Sequence, residues 1–275
     1  MATTSLRLDR RTNSRTQRSL EQKYKIKTEK LGQGEGCKSE IRILNKVIRA
    51  TSEGIELEAD PRHAELVVKE LGLDNAKASL VPGSKDEVKK VDKFKNVDSI
   101  QKARTSAGGD TWELETEEMP DTEDDDDLLG PEDARLYRGV AARLNYIAPD
   151  RPDIAYAVKE SARGMSAPKA SAMRRLRKIG KYLIGSPRFV SKFVWQDMPT
   201  KVSSFTDSDW AGCVKTARST SGGAICMGEH VLKAYCRQQK VVALSSAEAE
   251  LYAMVAASAE TLAMAAYAKD LGLSL

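Results

Sequence analysis

The sequence has few of the residues from which zinc sites and disulfide frameworks are built. Its 275 residues include four cysteines and two histidines, and no two cysteines have the C-x-x-C spacing typical of zinc ligands. We therefore expect no zinc finger. The thiols are interpreted as reduced side chains, buried or half-buried, of a protein in a reducing compartment.

Long apolar segments are also missing. No stretch approaches the roughly 18 unbroken apolar residues of a membrane-spanning helix, and no apolar signal-peptide core follows the basic N-terminus. The sequence therefore predicts an intracellular protein without a membrane partner, and leaves cytoplasm and nucleus equally open. One alternative is that the Arg-, Ser- and Thr-rich start is a mitochondrial transit peptide.

The charges are unevenly distributed. The net charge is only +4, but basic residues crowd the first 50 positions, whereas 110–133 is strongly acidic and includes five consecutive acids at 123–127. Such a run repels itself and cannot bury apolar area, which predicts a disordered linker. The predicted organisation is a basic, disordered 1–40, a small module at 41–82, an acidic linker at 83–130, a helical connection at 131–186 and a final domain at 187–275.

The module at 41–82 is predicted to be a β-hairpin followed by a helix. Runs of β-branched residues at 41–49 and 55–58 flank the polar turn 51–54, which favours a hairpin. Asp60 can cap a helix with Pro61 in its first turn, and apolar residues recur at helical spacing until Gly72. The helix leaves one apolar face that needs a partner.

Three helices are predicted for the connection at 131–186. The third follows Pro168, and its apolar residues Met173, Leu176, Ile179 and Leu183 lie on one side. The other side is a basic ridge suited to a phosphate backbone, although a solvated basic face without a ligand gives the same pattern. The ridge consists of Arg174, Arg175, Arg177, Lys178 and Lys181.

The last 75 residues predict three strands and a long helix, hence an α+β fold. The strands are expected at 201–206, 223–227 and 231–237, with a turn at 219–222, and the helix at 247–271. Ser245 and Glu248 form a capping box at the helix start. The spacing of Leu251, Met254, Val255, Ser258 and Leu262 predicts that this face packs on the sheet.

Two carboxylates stand out as candidate metal ligands: Asp207 at the end of the first of these strands, and Glu250 in the first turns of the long helix. Phosphodiester hydrolysis near neutral pH is commonly served by Mg²⁺ held by carboxylates from separate elements. A simpler interpretation also exists, because acids favour helix N-termini without any metal and Asp207 and Asp209 can merely terminate a strand.

Four ordered blocks resemble copia-type retrotransposon Pol polyproteins, from the end of the reverse transcriptase region into RNase H. They are Leu144-Asn-Tyr-Ile-Ala-Pro-Asp-Arg-Pro-Asp-Ile-Ala-Tyr-Ala-Val158, the basic helix Arg175 to Gly185, Asp207-Ser-Asp-Trp-Ala-Gly212 with Arg218-Ser-Thr-Ser-Gly222, and Val242-Ala-Leu-Ser-Ser-Ala-Glu-Ala-Glu250. More loosely, 41–83 resembles the tail of that reverse transcriptase.

The resemblance implies an RNase H-like sheet in which Asp207, Glu250 and Asp209 bind Mg²⁺, with Glu248 as a further candidate. It implies hydrolysis of RNA in RNA–DNA hybrids, recognised more by geometry and the 2′-hydroxyl than by sequence. Upstream polyprotein domains would be partners. A further family aspartate, expected after the long helix, is missing from the sequence, and no Tyr-x-Asp-Asp polymerase motif occurs.

The expected function is therefore an RNase H-type activity impaired by the truncated C-terminus. The alternative is a catalytically inert remnant that binds nucleic acid electrostatically. A third interpretation, an interaction scaffold built around the acidic linker, depends on composition alone. The oligomeric state is left open by the sequence.

Overall fold

The computed structural model describes residues 22–25, 29–83, 127–213 and 215–273. The predicted acidic linker at 83–130 and the basic segment at 1–40 therefore lie largely outside the described residues. The described chain divides into two compact units: one comprises Met1–Asp60 with Val190–Trp195, and the other Pro61–Phe189 with Gln196–Leu275. We call them the N-terminal sheet unit and the helical unit.

The N-terminal sheet unit contains four antiparallel strands in the order β1-β2-β3-β4. They span Glu40–Ile43, Lys46–Ala50, Gly54–Glu58 and Val190–Val194. The segment 41–49, predicted as one strand, is itself a hairpin, because Leu44 and Asn45 both take positive φ and reverse the chain in two residues. The predicted turn between 50 and 54 joins β2 to β3 as expected.

Strand β4 was not predicted, and it changes the domain boundaries. It pairs with β3, placing Val190 opposite Glu58 and Val194 opposite Gly54. The segment expected to open the C-terminal domain at 187 thus completes the sheet of 41–58. The module predicted at 41–82 is divided, because its helix α1, Pro61–Glu70, belongs to the helical unit.

The helical unit has its core among α1 and three further helices. These are α2 at Pro131–Ile147, α3 at Ala155–Ala162 and α4 at Ala170–Gly185, with a 3₁₀ turn at Ala148–Asp150. Every apolar residue predicted for the inner face of α4 is buried, as are Ile154, Ala157 and Val158 around the start of α3. Gly180 allows the segment directly after α1 to approach α4 closely, since a Cβ there would lie 2.6 Å from Leu73 Cδ1.

A buried arginine joins the 3₁₀ turn to the end of α4. The Arg151 side chain is only 2% exposed and its Nη2 lies 2.7 Å from Asp153 Oδ2. It also donates to the carbonyl oxygens of Ser186 and Pro187, and Tyr182 donates to the same Asp153 oxygen. The Pro-Asp-Arg-Pro-Asp segment therefore has a structural role: it satisfies a buried charge and fixes where α4 ends.

A three-stranded antiparallel sheet follows, in the order β5-β6-β7. The strands span Val202–Asp209, Thr220–Met227 and His230–Gln238. The predicted order is confirmed, including the hairpin turn after Met227. The turn predicted at 219–222 is wrong, because β6 begins at Thr220 opposite Asp209. The reversal lies between β5 and β6, where Ala211 and Ala217 take positive φ and Ala211 N donates to Ser219 Oγ.

The long helix α5 spans Ser246–Asp270 and packs on β5 and β6. Ser245 caps it by accepting a hydrogen bond from Glu248 N, as predicted. The predicted packing face is wrong: the buried residues are Ala249, Ala253, Ala257 and Ala268, whereas Leu251, Met254, Val255 and Leu262 are exposed. The cause is steric, since methyl side chains let a helix axis approach a sheet closely.

By length and composition alone, α5 is also the one helix of the described chain apolar enough to cross a membrane. Core helices of soluble proteins satisfy the same criterion. Its contacts here are with a sheet: Glu260 lies 2.6 Å from Lys233 and 2.8 Å from Arg237, both on β7. These two cations lower the pKa of Glu260, principally through the hydrogen bond from Lys233.

Replacing Arg151 should strongly destabilise the helical unit. We expect Arg151→Ala to lower the free energy of unfolding by about 3 kcal/mol or more, since it leaves two carbonyl groups without their donor and removes the charge paired with Asp153, which keeps only the hydrogen bond from Tyr182. Urea denaturation followed by circular dichroism measures this. Arg135→Ala removes an exposed arginine from α2 and should change stability by less than about 0.5 kcal/mol; equal effects would contradict the structural role of Arg151.

The alanine face of α5 can be tested by overpacking. We expect Ala253→Leu to cost about 1–3 kcal/mol, because Ala253 is fully buried against the sheet. Ala263→Leu adds the same side chain at an exposed position of the same helix and should be nearly neutral. The urea midpoints of the two variants compare the two faces of α5 directly. A larger loss of stability in Ala263→Leu than in Ala253→Leu would contradict the observed packing and favour the face predicted from the sequence.

Candidate metal and nucleic-acid site

Asp207 and Asp209 lie near the end of β5, the edge strand of the C-terminal sheet. In the antiparallel register Asp207 is opposite Gly222 and Asp209 opposite Thr220. Thr220 Oγ1 accepts a hydrogen bond of 2.9 Å from Lys159 on α3. Because residues that alternate along a strand share a face, both aspartates belong to the face of the sheet that α3 contacts. Asp207 is exposed and Asp209 is half-buried.

Glu250, on α5, contacts β5 from the opposite side. Its Oε1 accepts a hydrogen bond of 3.1 Å from Ser208 N and one of 2.8 Å from Ser208 Oγ. Ser208 is opposite Ser221, whose hydroxyl is linked through Gln239 to Ala249 on α5. The structure thus brings Glu250 to the residue between the two aspartates, but on the α5 face of the strand.

Asp209 folds back on its own loop. A Cβ added to Gly212 would lie 2.2 Å from Asp209 Oδ2, so the carboxylate occupies the space that only glycine leaves open. Asp209 also contributes to the raised pKa of Tyr156 on α3, after the larger effects of burial and Glu160. This packing explains the glycine of Asp-Ser-Asp-Trp-Ala-Gly and gives Asp209 a structural role.

The donor atoms suit Mg²⁺ in kind, because magnesium prefers carboxylate oxygens. Asp207 is exposed, and Glu250 uses only Oε1 in the hydrogen bonds to Ser208. In number the donors fall short: within the described ranges no group of three or more histidine, cysteine, aspartate or glutamate side chains could hold a metal ion. Asp207 and Glu250 are the residues that would hold magnesium, and the binding itself stays a prediction.

Glu248, the further candidate, has local contacts that account for it. Its Oε2 accepts a hydrogen bond of 2.7 Å from Leu244 N, and its Oε1 accepts one of 3.2 Å from the Tyr252 hydroxyl. These contacts complete the capping of α5. Glu248 therefore stabilises the helix that positions Glu250.

The basic ridge of α4 is largely free for a ligand. Arg174, Arg177 and Lys181 are exposed, and Lys178 is half-buried. Arg175 differs, because its Nη2 donates to Ser171 Oγ and its charge lowers the pKa of Tyr137, although burial raises that pKa overall. Among the residues that the structure describes, no acid forms an ion pair with Arg174, Arg177, Lys178 or Lys181.

Sequence reasoning missed a polar contact between Arg163, the C-cap of α3, and the loop that joins β5 to β6. Arg163 Nη2 lies 2.7 Å from Cys213 Sγ, and Thr216 donates to the same sulfur at 3.0 Å. Burial raises the pKa of Cys213, but the hydrogen bonds from Thr216 and Arg163 outweigh this and lower the pKa overall. No spacing rule links residues 163 and 213, so the contact could be found only from the fold.

Similar proteins come from transposons and plant mitochondria. The chain is 35% identical over 118 residues to the retrovirus-related Pol polyprotein from transposon RE1 and 31% identical over 143 residues to that from transposon RE2, both of Arabidopsis thaliana. It is also 32% identical over 114 residues to the uncharacterized mitochondrial protein AtMg00810 of the same plant. These matches cover 43%, 52% and 42% of this chain, respectively.

The relatives are longer than the matched region. The alignments span 8% of the RE1 polyprotein, 10% of the RE2 polyprotein and 47% of the mitochondrial protein. No family model matches the chain, and no solved structure matches it. With the ordered motifs around Asp207 and Glu250, these relatives place the chain in a known family: it belongs to the copia-type, retrovirus-related Pol polyproteins of transposons.

Proposed function

We propose that the sheet β5 to β7 with α5 forms part of an RNase H-type domain that hydrolyses RNA in RNA–DNA hybrids with the help of Mg²⁺. The observation that carries the proposal is the contact from Glu250 to Ser208. It connects the two carboxylate-bearing segments, one on a strand and one on a helix, although they are 43 positions apart along the chain.

Each residue would have a distinct task. Magnesium, when bound, activates water and stabilises the leaving oxygen of a phosphodiester. Asp207 is accessible from solvent at the free edge of the sheet, where a nucleic-acid strand can approach. Ser208 fixes the direction of the Glu250 carboxylate with two donors to Oε1, and the second oxygen of the carboxylate remains available as a ligand.

The ridge of α4 would bind the phosphate backbone of the same substrate. Arg174, Arg177 and Lys181 follow one another by three and four residues, so they project from one side of the helix. Residues with this spacing form a line of positive charge about 10 Å long, which matches contact with two or three successive phosphates. Backbone contacts of this kind recognise helical geometry rather than base sequence.

A second candidate function is nucleic-acid binding without catalysis. It is favoured by the number of ligands, since the described residues contain no group of three that could hold a metal. Asp207 and Asp209 also lie on the α3 face of β5, whereas Glu250 contacts Ser208 on the opposite, α5 face. A protein with this arrangement and with the exposed cations Arg174, Arg177 and Lys181 on α4 would bind hybrids with steep salt dependence and would not need magnesium.

Asp207→Asn tests the nuclease proposal. We expect the natural chain to cleave a labelled RNA–DNA hybrid in the presence of Mg²⁺, and the variant to lose cleavage to background because it lacks the ligand's charge. Denaturing gel electrophoresis of the labelled RNA measures this. Asp197→Asn, which changes an exposed aspartate in the loop before β5, should cleave like the natural chain.

The outcomes separate the two candidate functions. Cleavage that needs Mg²⁺ and Asp207, but not Asp197, supports the nuclease. Absence of cleavage with salt-sensitive hybrid binding intact contradicts it and supports the binding function. Cleavage that survives Asp207→Asn would indicate a contaminating nuclease and also contradicts the assignment.

Hybrid binding should depend on the ridge. Removing one phosphate contact by Arg177→Gln should weaken binding of an RNA–DNA hybrid and reduce the slope of log Kd against log salt concentration by about 1. Fluorescence anisotropy across a salt series measures both quantities. The triple variant Arg174→Gln, Arg177→Gln, Lys181→Gln should reduce the slope by up to about 3 if each residue contacts a phosphate.

The matched control is Arg42→Gln, which removes an exposed arginine from β1 in the other unit. It carries the same charge change, so it reports the effect of net charge alone. A slope unchanged in the ridge variants, or an equal loss in Arg42→Gln, would place the nucleic-acid contact elsewhere.

A further inference from the structure

A buried glutamine joins the C-terminal sheet to the start of α5, and the proposed function does not use it. Gln239 directly follows β7 and is only 8% exposed. Glutamine is mostly found at the surface of proteins, because its amide needs hydrogen-bond partners wherever water is excluded. The partners of Gln239 therefore indicate what it does.

The hydrogen bonds of Gln239 connect three elements. Its backbone N donates to Ser219 O, just before β6, at 2.8 Å. Its side-chain Nε2 donates to Ser221 Oγ at 3.0 Å and to Ala249 O, near the start of α5, at 2.8 Å. One side chain at the end of β7 thus ties β6 to the N-terminal end of α5.

Both acceptors of the Gln239 amide are neighbours of the Glu250 contact. Ala249 directly precedes Glu250, so it belongs to the backbone from which the carboxylate projects. Ser221 is opposite Ser208, which donates to Glu250 Oε1 from its N and its Oγ. Gln239 therefore holds the helix on one side of this contact and the sheet on the other.

Packing of α5 on the sheet does not by itself place Glu250. The buried alanines of α5 bring the helix close, but apolar contacts have no preferred direction and leave the helix able to turn or slide. A hydrogen bond depends on direction as well as distance. The bond from Gln239 to Ala249 O supplies this constraint one residue away from Glu250.

Stability alone does not explain a glutamine at this position. Its Oε1 is buried and accepts no hydrogen bond within the described part of the chain, and a buried acceptor without a donor is unfavourable. A methionine has nearly the same length and would carry no such acceptor. The two donors of Nε2 are thus the property that distinguishes glutamine here.

We propose that Gln239 is a positioning residue that holds Glu250 where Ser208 binds its carboxylate. The inference rests on the proposed function insofar as Glu250 is a ligand of the magnesium site. Gln239 acts through Ala249 and Ser221 and does not itself contact the substrate. Residues that orient a metal ligand in this way commonly change metal affinity by about 10- to 100-fold when they are replaced.

Hydrogen exchange of the Ser208 amide, measured by NMR in the metal-free chain, tests the proposal. Gln239→Met keeps the length of the side chain and removes both donors. We expect it to accelerate exchange at Ser208 by about tenfold, the scale of one lost hydrogen bond to a charged group. Glu250→Ala, which removes the acceptor itself, gives the rate for complete loss of this contact. Ser221→Ala, a smaller change in the same network, should accelerate exchange in the same direction.

The matched control is Gln196→Met, which removes a glutamine from the other end of the same sheet. Gln196 Nε2 donates to Met227 O at 3.1 Å, and its Oε1 accepts from Glu229 N at 2.9 Å. This variant should accelerate exchange at Glu229 and leave Ser208 unchanged, whereas Gln239→Met should do the reverse. Unchanged exchange at Ser208 in both Gln239→Met and Ser221→Ala, or acceleration of both amides by either glutamine substitution, overturns the proposal.

Titration with Mn²⁺, which binds the same oxygen ligands as Mg²⁺, separates this inference from the proposed function. Electron paramagnetic resonance measures the free ion, and Gln239→Met should weaken binding by at least about tenfold. An equal Mn²⁺ affinity in the natural chain and the variant contradicts the positioning role. A natural chain that binds no Mn²⁺, but whose Ser208 exchange depends on Gln239, would refute the metal site and leave the positioning of Glu250 supported.

Discussion

The close packing of α5 on the C-terminal sheet determines most of what this part of the molecule can do. It depends on alanine: Ala249, Ala253 and Ala257 are almost completely buried and bring the helix against β5 and β6. At that short distance the Glu250 side chain reaches Ser208. Larger residues on the same face would hold the helix farther away and move the carboxylate off the strand. The geometry of the candidate site therefore follows from side chains that have no chemistry of their own.

The opposite face of the same sheet depends on the helical connection. Arg151 holds the 3₁₀ turn and the end of α4 together, while Lys159 of α3 and its C-cap residue Arg163 reach Thr220 and Cys213. Helices that precede the sheet in sequence thus contact the face to which Asp207 and Asp209 belong. Any ligand bound by Asp207 would share that side with the polar residues of α3, which makes the connection part of the environment of the site rather than a spacer.

Local patterns predicted the helices well and the sheets less well. The inner faces of α3 and α4 and the cap of α5 could be predicted, because these signals lie within a few residues of each other. Strand β4 could not be predicted, because its five residues form a strand by pairing with β3, more than 130 positions earlier in the chain. The packing face of α5 was wrong because periodicity gives weight to large apolar side chains, whereas close approach to a sheet selects small ones. The carboxylates at Asp207 and Glu250 were found through motifs, but their opposite faces on β5 follow from register, which the sequence does not encode locally.

The pairing of β3 with β4 has a consequence for how the chain folds. Val190 pairs with Glu58 and Val194 with Gly54, so the fourth strand of the N-terminal sheet is synthesised only after every helix from α1 to α4. During translation the edge of β3 stays unpaired until β4 has been synthesised. Pairing the two strands is a long-range contact, and closing the intervening loop costs conformational entropy. If the chain were cut between β3 and β4, the pairing of these strands would become a contact between two separate polypeptides. In this family member, folding of the beginning of the chain is thus coupled to the arrival of its later part.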